Sequence, residues 1–162
     1  MITDVAKFNG ILNIASDNNT EFLDYIIAQK EPELLKSWFG YALAKDIQSL
    51  TPSAEAQVLI DGGEFTDSSG DLQELVGLKT ILPYIMYFYI VKNQQSRNSE
   101  QGERESTYEN AEQVSPVQKL CKNYNTGVKY VNEMIDYIED RTDTYDTYIV
   151  RPYLNTINQF GI

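Results

Sequence analysis

The chain contains no histidine and a single cysteine, Cys121. No disulfide can form within one chain, and no His- or Cys-based zinc site can be built. Ser-His-Asp and Cys-His nucleophilic centres are excluded on the same grounds. Cations are scarce too: 13 Lys and Arg against 24 Asp and Glu give a net charge of 13 − 24 = −11. Affinity for nucleic acid comes from cations that neutralise phosphates, so this balance speaks against wrapping it. It suits a surface that nucleic acid slides past, or one that meets a basic protein. The first residues, MITDVAKFNG, carry neither a cationic start nor an apolar run, so no secretory signal is expected. A reducing cytoplasm is the simplest compartment for synthesis.

Long apolar runs are also few. The longest, Ile81 to Val91, holds eleven residues without a charge or a small polar group. It lies within Leu75–Gln95, and Leu78, Ile81, Leu82, Ile85 and Tyr89 roughly follow helical spacing. Met86, Phe88 and Ile90 fill the other faces, so the helix must be enclosed on all sides. As a helix, Val76 to Val91 spans about 24 Å, short of a hydrocarbon core of roughly 30 Å. Lys79 and Pro83 also lie inside it, so protein rather than lipid should enclose it, and no membrane association is expected. Pro83 removes one bond, to the Lys79 carbonyl, and predicts a kink or a ragged first turn.

Three further helical regions are predicted. Asn19–Leu50 carries Phe22, Leu23, Ile26 and Ile27, then Leu34, Leu35, Trp38 and Phe39, then Leu43, Ile47 and Leu50, all at helical spacing. Pro32 suits the first turn of a new helix within it, and Gly40 is either a terminator or a tight packing point. Pro52–Ile60 begins with Thr51 as N-cap and Pro at the first helical position. Pro116–Asp140 has the clearest start, Ser115-Pro116-Val117-Gln118. Its apolar side runs from Val117 through Leu120, Tyr124, Val128, Val131 and Ile135 to Ile138, while Gly127 interrupts it at a cost of about 1 kcal/mol against Ala. Glu133, Asp136 and Asp140 form an acidic stripe opposite. Leu35, Trp38, Leu82, Ile85, Val131 and Ile135 should share one core.

No catalytic, cofactor-binding or metal-binding residues emerge, and an enzyme is not expected. Asp61-Gly62-Gly63-Glu64 and Asp67-Ser68-Ser69-Gly70-Asp71 lack the spacing of a calcium loop and read as turns, with a short strand beside them at most. Function should instead sit in two segments. The polar stretch 92–115 buries too little apolar surface to order itself, so Arg97, Arg104 and Tyr108 are candidate contacts to other chains. The arm 141–162 is aromatic, and Pro152 interrupts any helix through it. There Tyr145, Tyr148, Tyr153 and Phe160 are the candidate partner-binding side chains, since tyrosine suits surfaces that are at once apolar and wet.

Two stretches carry a resemblance. LLKSWFGYALAKDI (Leu34–Ile47), with aromatic-Gly between two helices, resembles the L-G-x-x-L region of tailed-phage head–tail connector proteins. VLIDGGEF (Val58–Phe65), followed by GDLQELVGLKTILPYIMYFYIVKNQQ (Gly70–Gln95), is similar to their second signature, matching at Gly77-Leu78-Lys79 and at Tyr84, Tyr87 and Tyr89. Within that group the chain is most similar in character to the ring proteins below the portal of crAss-like phages. The resemblance covers roughly residues 18–140 and implies an all-α, single-domain helical bundle, with 92–115 as a long polar loop and 141–162 as a C-terminal arm. It implies a homo-oligomeric ring, typically of twelve, in the virion. Portal and neighbouring tail or ring proteins would be partners, and double-stranded DNA would pass through the lumen without specific binding. A different reading of the same composition is a small acidic helical adaptor or inhibitor of a basic protein.

Overall fold

The computed structural model describes residues 1–8, 12, 20–95, 116–148 and 151–158. Past a 3₁₀ turn at Val5–Phe8, helix α1 covers Thr20–Ile47. It passes Pro32 without a break, and the backbone leaves helical geometry at Gly40 instead, with φ 79° and ψ 172°. Helix α2 (Ala54–Asp61) runs directly into strand β1 (Gly62–Thr66), which pairs antiparallel with β2 (Leu72–Val76). Helices α3 (Leu78–Gln95) and α4 (Pro116–Glu139) complete the regular elements among the described residues. The chain is mostly helical, as expected, and the two-stranded sheet is the departure from an all-α reading.

Helix α3 occupies the middle, with α1, α2 and α4 packed against it. Leu78, Ile81, Leu82, Ile85, Met86 and Ile90 are all buried, which accounts for a helix that is apolar nearly all round. Leu35, Trp38, Leu82, Ile85, Val131 and Ile135 fall in one buried cluster. None of the described helices is long and apolar enough to cross a membrane. Gly127, an apparent flaw in α4, packs directly against α3. A Cβ there would lie 2.6 Å from Ile85 Cδ1 and 3.2 Å from Tyr84 Cβ.

Two sequence-based boundaries are corrected. Ser53, not Thr51, caps α2, its hydroxyl accepting the Ala56 N–H at 3.1 Å. The cause is Asp46 at the end of α1, whose carboxylate accepts both the Ser53 N–H (3.1 Å) and its hydroxyl (2.6 Å), fixing Ser53 where the helix starts. Helix α3 begins at Leu78 rather than Leu75, because Leu72–Val76 is strand. The reason lies in the backbone crossing between Gly62 and Gly77. A Cβ on Gly62 would stand 2.3 Å from the Leu75 carbonyl oxygen, and one on Gly77 would stand 2.3 Å from the Asp61 carbonyl carbon. Two glycines let these segments touch, and the crossing turns the chain out of β2 into α3. Beside it Lys79 pairs with Asp61 at 2.5 Å. Inside the turn, Asp67 accepts the N–H groups of Ser69 and Asp71, both at 2.9 Å, closing the hairpin as its turn-forming residues predict.

The N-terminal segment is tied down by one charged side chain. Glu31 is buried in α1, and its carboxylate accepts the N–H groups of Ile2 and Thr3, each at 2.8 Å. A buried carboxylate is tolerable when donors satisfy both oxygens, as they do here.

Candidate interaction surface

Residues 151–158 lie along α4 without regular secondary structure, and side chains of that helix hold them. Asn132 accepts the Leu154 N–H at 2.9 Å and donates to the Leu154 carbonyl at 3.1 Å. Seven residues earlier, Asn125 makes the same pair of bonds to Ile157, both at 2.8 Å. The Cys121 thiol donates to the Asn158 carbonyl at 3.3 Å. The arm therefore runs antiparallel to α4. Each asparagine substitutes for a neighbouring strand, offering one donor and one acceptor to one residue's backbone.

The candidate tyrosines have separate fates. Tyr145 is 4% exposed and packs edge-on against Tyr137, ring centroids 6.1 Å apart, while its hydroxyl donates to the Glu55 carbonyl at 3.2 Å. It belongs to the core and offers no surface to a partner, and burial holds its phenol far above the usual range. Tyr148 is half-buried, its hydroxyl accepting the Arg151 N–H at 3.3 Å, and desolvation raises its pKa. Tyr153 is 55% exposed, and its hydroxyl donates to Asp136 in the acidic stripe. That bond and the Asp136 charge push the phenol up to about 12, since losing the proton would set two anions face to face. The arm thus covers part of the stripe. Arg97, Arg104, Tyr108 and Phe160 lie outside the described residues.

The end of α4 is tied to the hairpin by Arg141. Its guanidinium lies beside the edge-on pair of Tyr137 and Phe65, 4.1 and 4.8 Å from their centroids, and donates to the Thr66 carbonyl at 2.9 Å. Strands β1 and β2 pair only with each other among the described residues, so each keeps an outer edge, and most of their side chains are exposed. A second surface feature spans the Gly40 break. A shallow groove of about 470 Å³ there is lined by Pro32, Lys36, Tyr41, Ala44, Lys45 and Gln48 among others. Tyr41 is 66% exposed with the Lys36 ammonium 5.9 Å from its ring, a basic and aromatic patch on an acidic chain.

Sequence reasoning missed the two asparagines. Their one signal is placement: Asn is a poor helix former, and two stand seven residues apart inside a long helix. Comparison of the chain with protein-family models, with characterised proteins and with solved structures finds no match.

Proposed function

We propose that the chain is a virion structural protein, a subunit of the ring that joins portal to tail in a tailed phage. The observation that carries this reading is where the resembling stretches fall. LLKSWFGYALAKDI contains the break in α1 at Gly40, while the Gly62-Gly63 and Gly77-Leu78-Lys79 stretches meet in the glycine crossing, with Asp61 and Lys79 paired beside it. These residues serve backbone geometry rather than chemistry, as suits a part whose work is to hold a shape. Ring assembly also requires surfaces that reach neighbouring copies. A hairpin whose strands pair only with each other among the described residues offers edges to a strand from another chain, and the exposed residues of the arm, Tyr153 among them, offer a second surface.

In this reading about a dozen copies enclose a channel whose acidic walls repel DNA and let it pass without binding. Portal and tail or ring proteins cover the two ends, and no cofactor is needed. Electron microscopy and sedimentation of the purified full chain provide the test. Closed rings of a single copy number support the reading, whereas a chain that stays monomeric both alone and with portal protein refutes it. A tight one-to-one complex with a basic protein would favour the acidic adaptor instead.

A further inference from the structure

The hairpin and the Gly40 groove each carry charge that nothing described on their own subunit answers. The register of β1 and β2 sets Glu64 directly opposite Glu74. Alternation along the strands turns Phe65 and Leu75 toward the core, so Glu64, Glu74 and Leu72 share the outer face. All three are exposed, Leu72 at 69%. Side chains directly opposed across a ladder stand about 4.5–5.5 Å apart at Cβ, and like charges there destabilise the pair. Asp61 is engaged by Lys79 and Asp67 by the N–H groups of its turn, but Glu64 and Glu74 have no ion pair or hydrogen bond among the described residues. The groove has the opposite lack. Lys36 and Lys45 line it from either side of the break, both exposed and neither paired with a carboxylate among the described residues. The acids beside them in the chain are engaged, Glu33 by Lys30 and Asp46 by Ser53. Tyr41 lines the same groove, and Leu50, next after its Ser49, is fully exposed.

We propose that these surfaces are the two halves of one contact between copies of this chain, the outer face of one hairpin docking on the Gly40 groove of the next. Glu64 and Glu74 meet Lys36 and Lys45, and Leu72 lies against Tyr41. The proposal deepens the ring reading and rests on it only for closure into a ring. What each occupant leaves behind favours a second copy over a foreign acidic segment. The foreign segment fills the groove and leaves the two glutamates bare and facing each other. A second copy answers both charges in every subunit, save at the ends of an open chain. The two surfaces differ, so the contact is heterologous, and its repetition generates a ring or a filament. At a net charge of −11 whole copies repel each other, so contact between them gains most from local charges of opposite sign.

Charge reversal in the full chain, followed by sedimentation, tests the contact. K36E/K45E makes both surfaces negative and E64K/E74K makes both positive, and each should weaken self-association by about tenfold or more. An equimolar mixture of the two should associate again, since each groove then finds a hairpin of opposite sign. K36E/K45E/E64K/E74K should associate alone, its net charge still −11 − 4 + 4 = −11. E64K/E74K is the stringent arm. At −11 + 4 = −7 it repels itself less than the unaltered chain, so a general charge effect would strengthen its association. All four positions are exposed, and thermal melts by circular dichroism check that each variant is folded. Three results overturn the proposal: an unaltered chain that stays monomeric, association indifferent to the reversals, or folded variants that mixing does not rescue. Closed rings indifferent to the reversals sink this contact and leave the ring reading standing. Rescue in filaments that never close does the reverse.

Discussion

Replacing Gly127 with alanine sets two known effects against each other. In an open helix the change gains about 1 kcal/mol from propensity. Here the new methyl would meet Ile85 Cδ1 at 2.6 Å and Cγ1 at 2.8 Å, on a side chain that is itself 1% exposed and has little room to turn. Forcing a methyl into a filled core costs about 1–3 kcal/mol. The sum is a net loss of about 0–2 kcal/mol, and at 1 kcal/mol the melting temperature falls by about 2–4 °C in a chain of this size. Urea unfolding followed by circular dichroism measures it, with the slope unchanged. The sign should reverse in a second background. Ile85→Ala alone opens a cavity at about 2–5 kcal/mol, and the alanine at 127 then fills part of it and stabilises, a coupling of about 0.5–3 kcal/mol. If Gly127→Ala stabilises the unaltered chain by about 1 kcal/mol and shows no coupling to Ile85, the close approach of α3 and α4 is wrong.

Glu31→Gln should cost about 2 kcal/mol, because one of two charge-assisted bonds to the N-terminal backbone loses its charge and the other its acceptor. Hydrogen exchange should show the amides of Ile2 and Thr3 losing protection, and unchanged protection would count against the anchor. Asp61 is held below its usual 3.8 by the hydrogen bonds from Lys79 and then Gln57. Its folded pKa is depressed, so its contribution is present above about 4 and is lost as pH falls through the folded value. Carbon-detected titration should show Lys79→Met returning Asp61 toward 3.8. Tyr153 runs the other way: its raised phenol contributes below about 10 and loses that contribution as pH rises through about 12. Ultraviolet titration of Asp136→Asn should find one tyrosine moved back toward the ordinary value, and an unchanged curve would break the Tyr153–Asp136 pairing.

Residues that bury themselves by a regular period were legible from the sequence. The apolar faces of α1 and α4 and the enclosure of α3 follow from spacing alone, because helix geometry converts position directly into direction. What escaped depends on partners distant in the chain. Thr51-Pro52 has the form of a helix start, yet Asp46 selects Ser53. Leu75 and Val76 continue an apolar run into α3, and only their pairing with Gly63 and Gly62 makes them strand. Tyr145 stands in a tail too short for a core of its own, and it is drawn into one by Tyr137 and the Glu55 carbonyl. Gly127 reads as a weakness until Ile85 is seen against it. Nothing in the composition of the arm announces the asparagines that hold it, because their work is to match a backbone.

A hairpin fixed at one end swings, and one fixed at both ends transmits. Here the base is pinned by the contact of Gly62 with Gly77, and the far end by Arg141 on the Thr66 carbonyl. Any strand added along either edge would inherit its direction from α2, α3 and α4 together. In the proposed ring, an error in one helix would then reappear as a tilt in the neighbour's position, multiplied around the circle of copies. A ring built on such a hairpin closes at one number of subunits only if those two anchors do not yield. Loosening Arg141, with the helices intact, should therefore broaden the distribution of ring sizes before it lowers the stability of any single subunit.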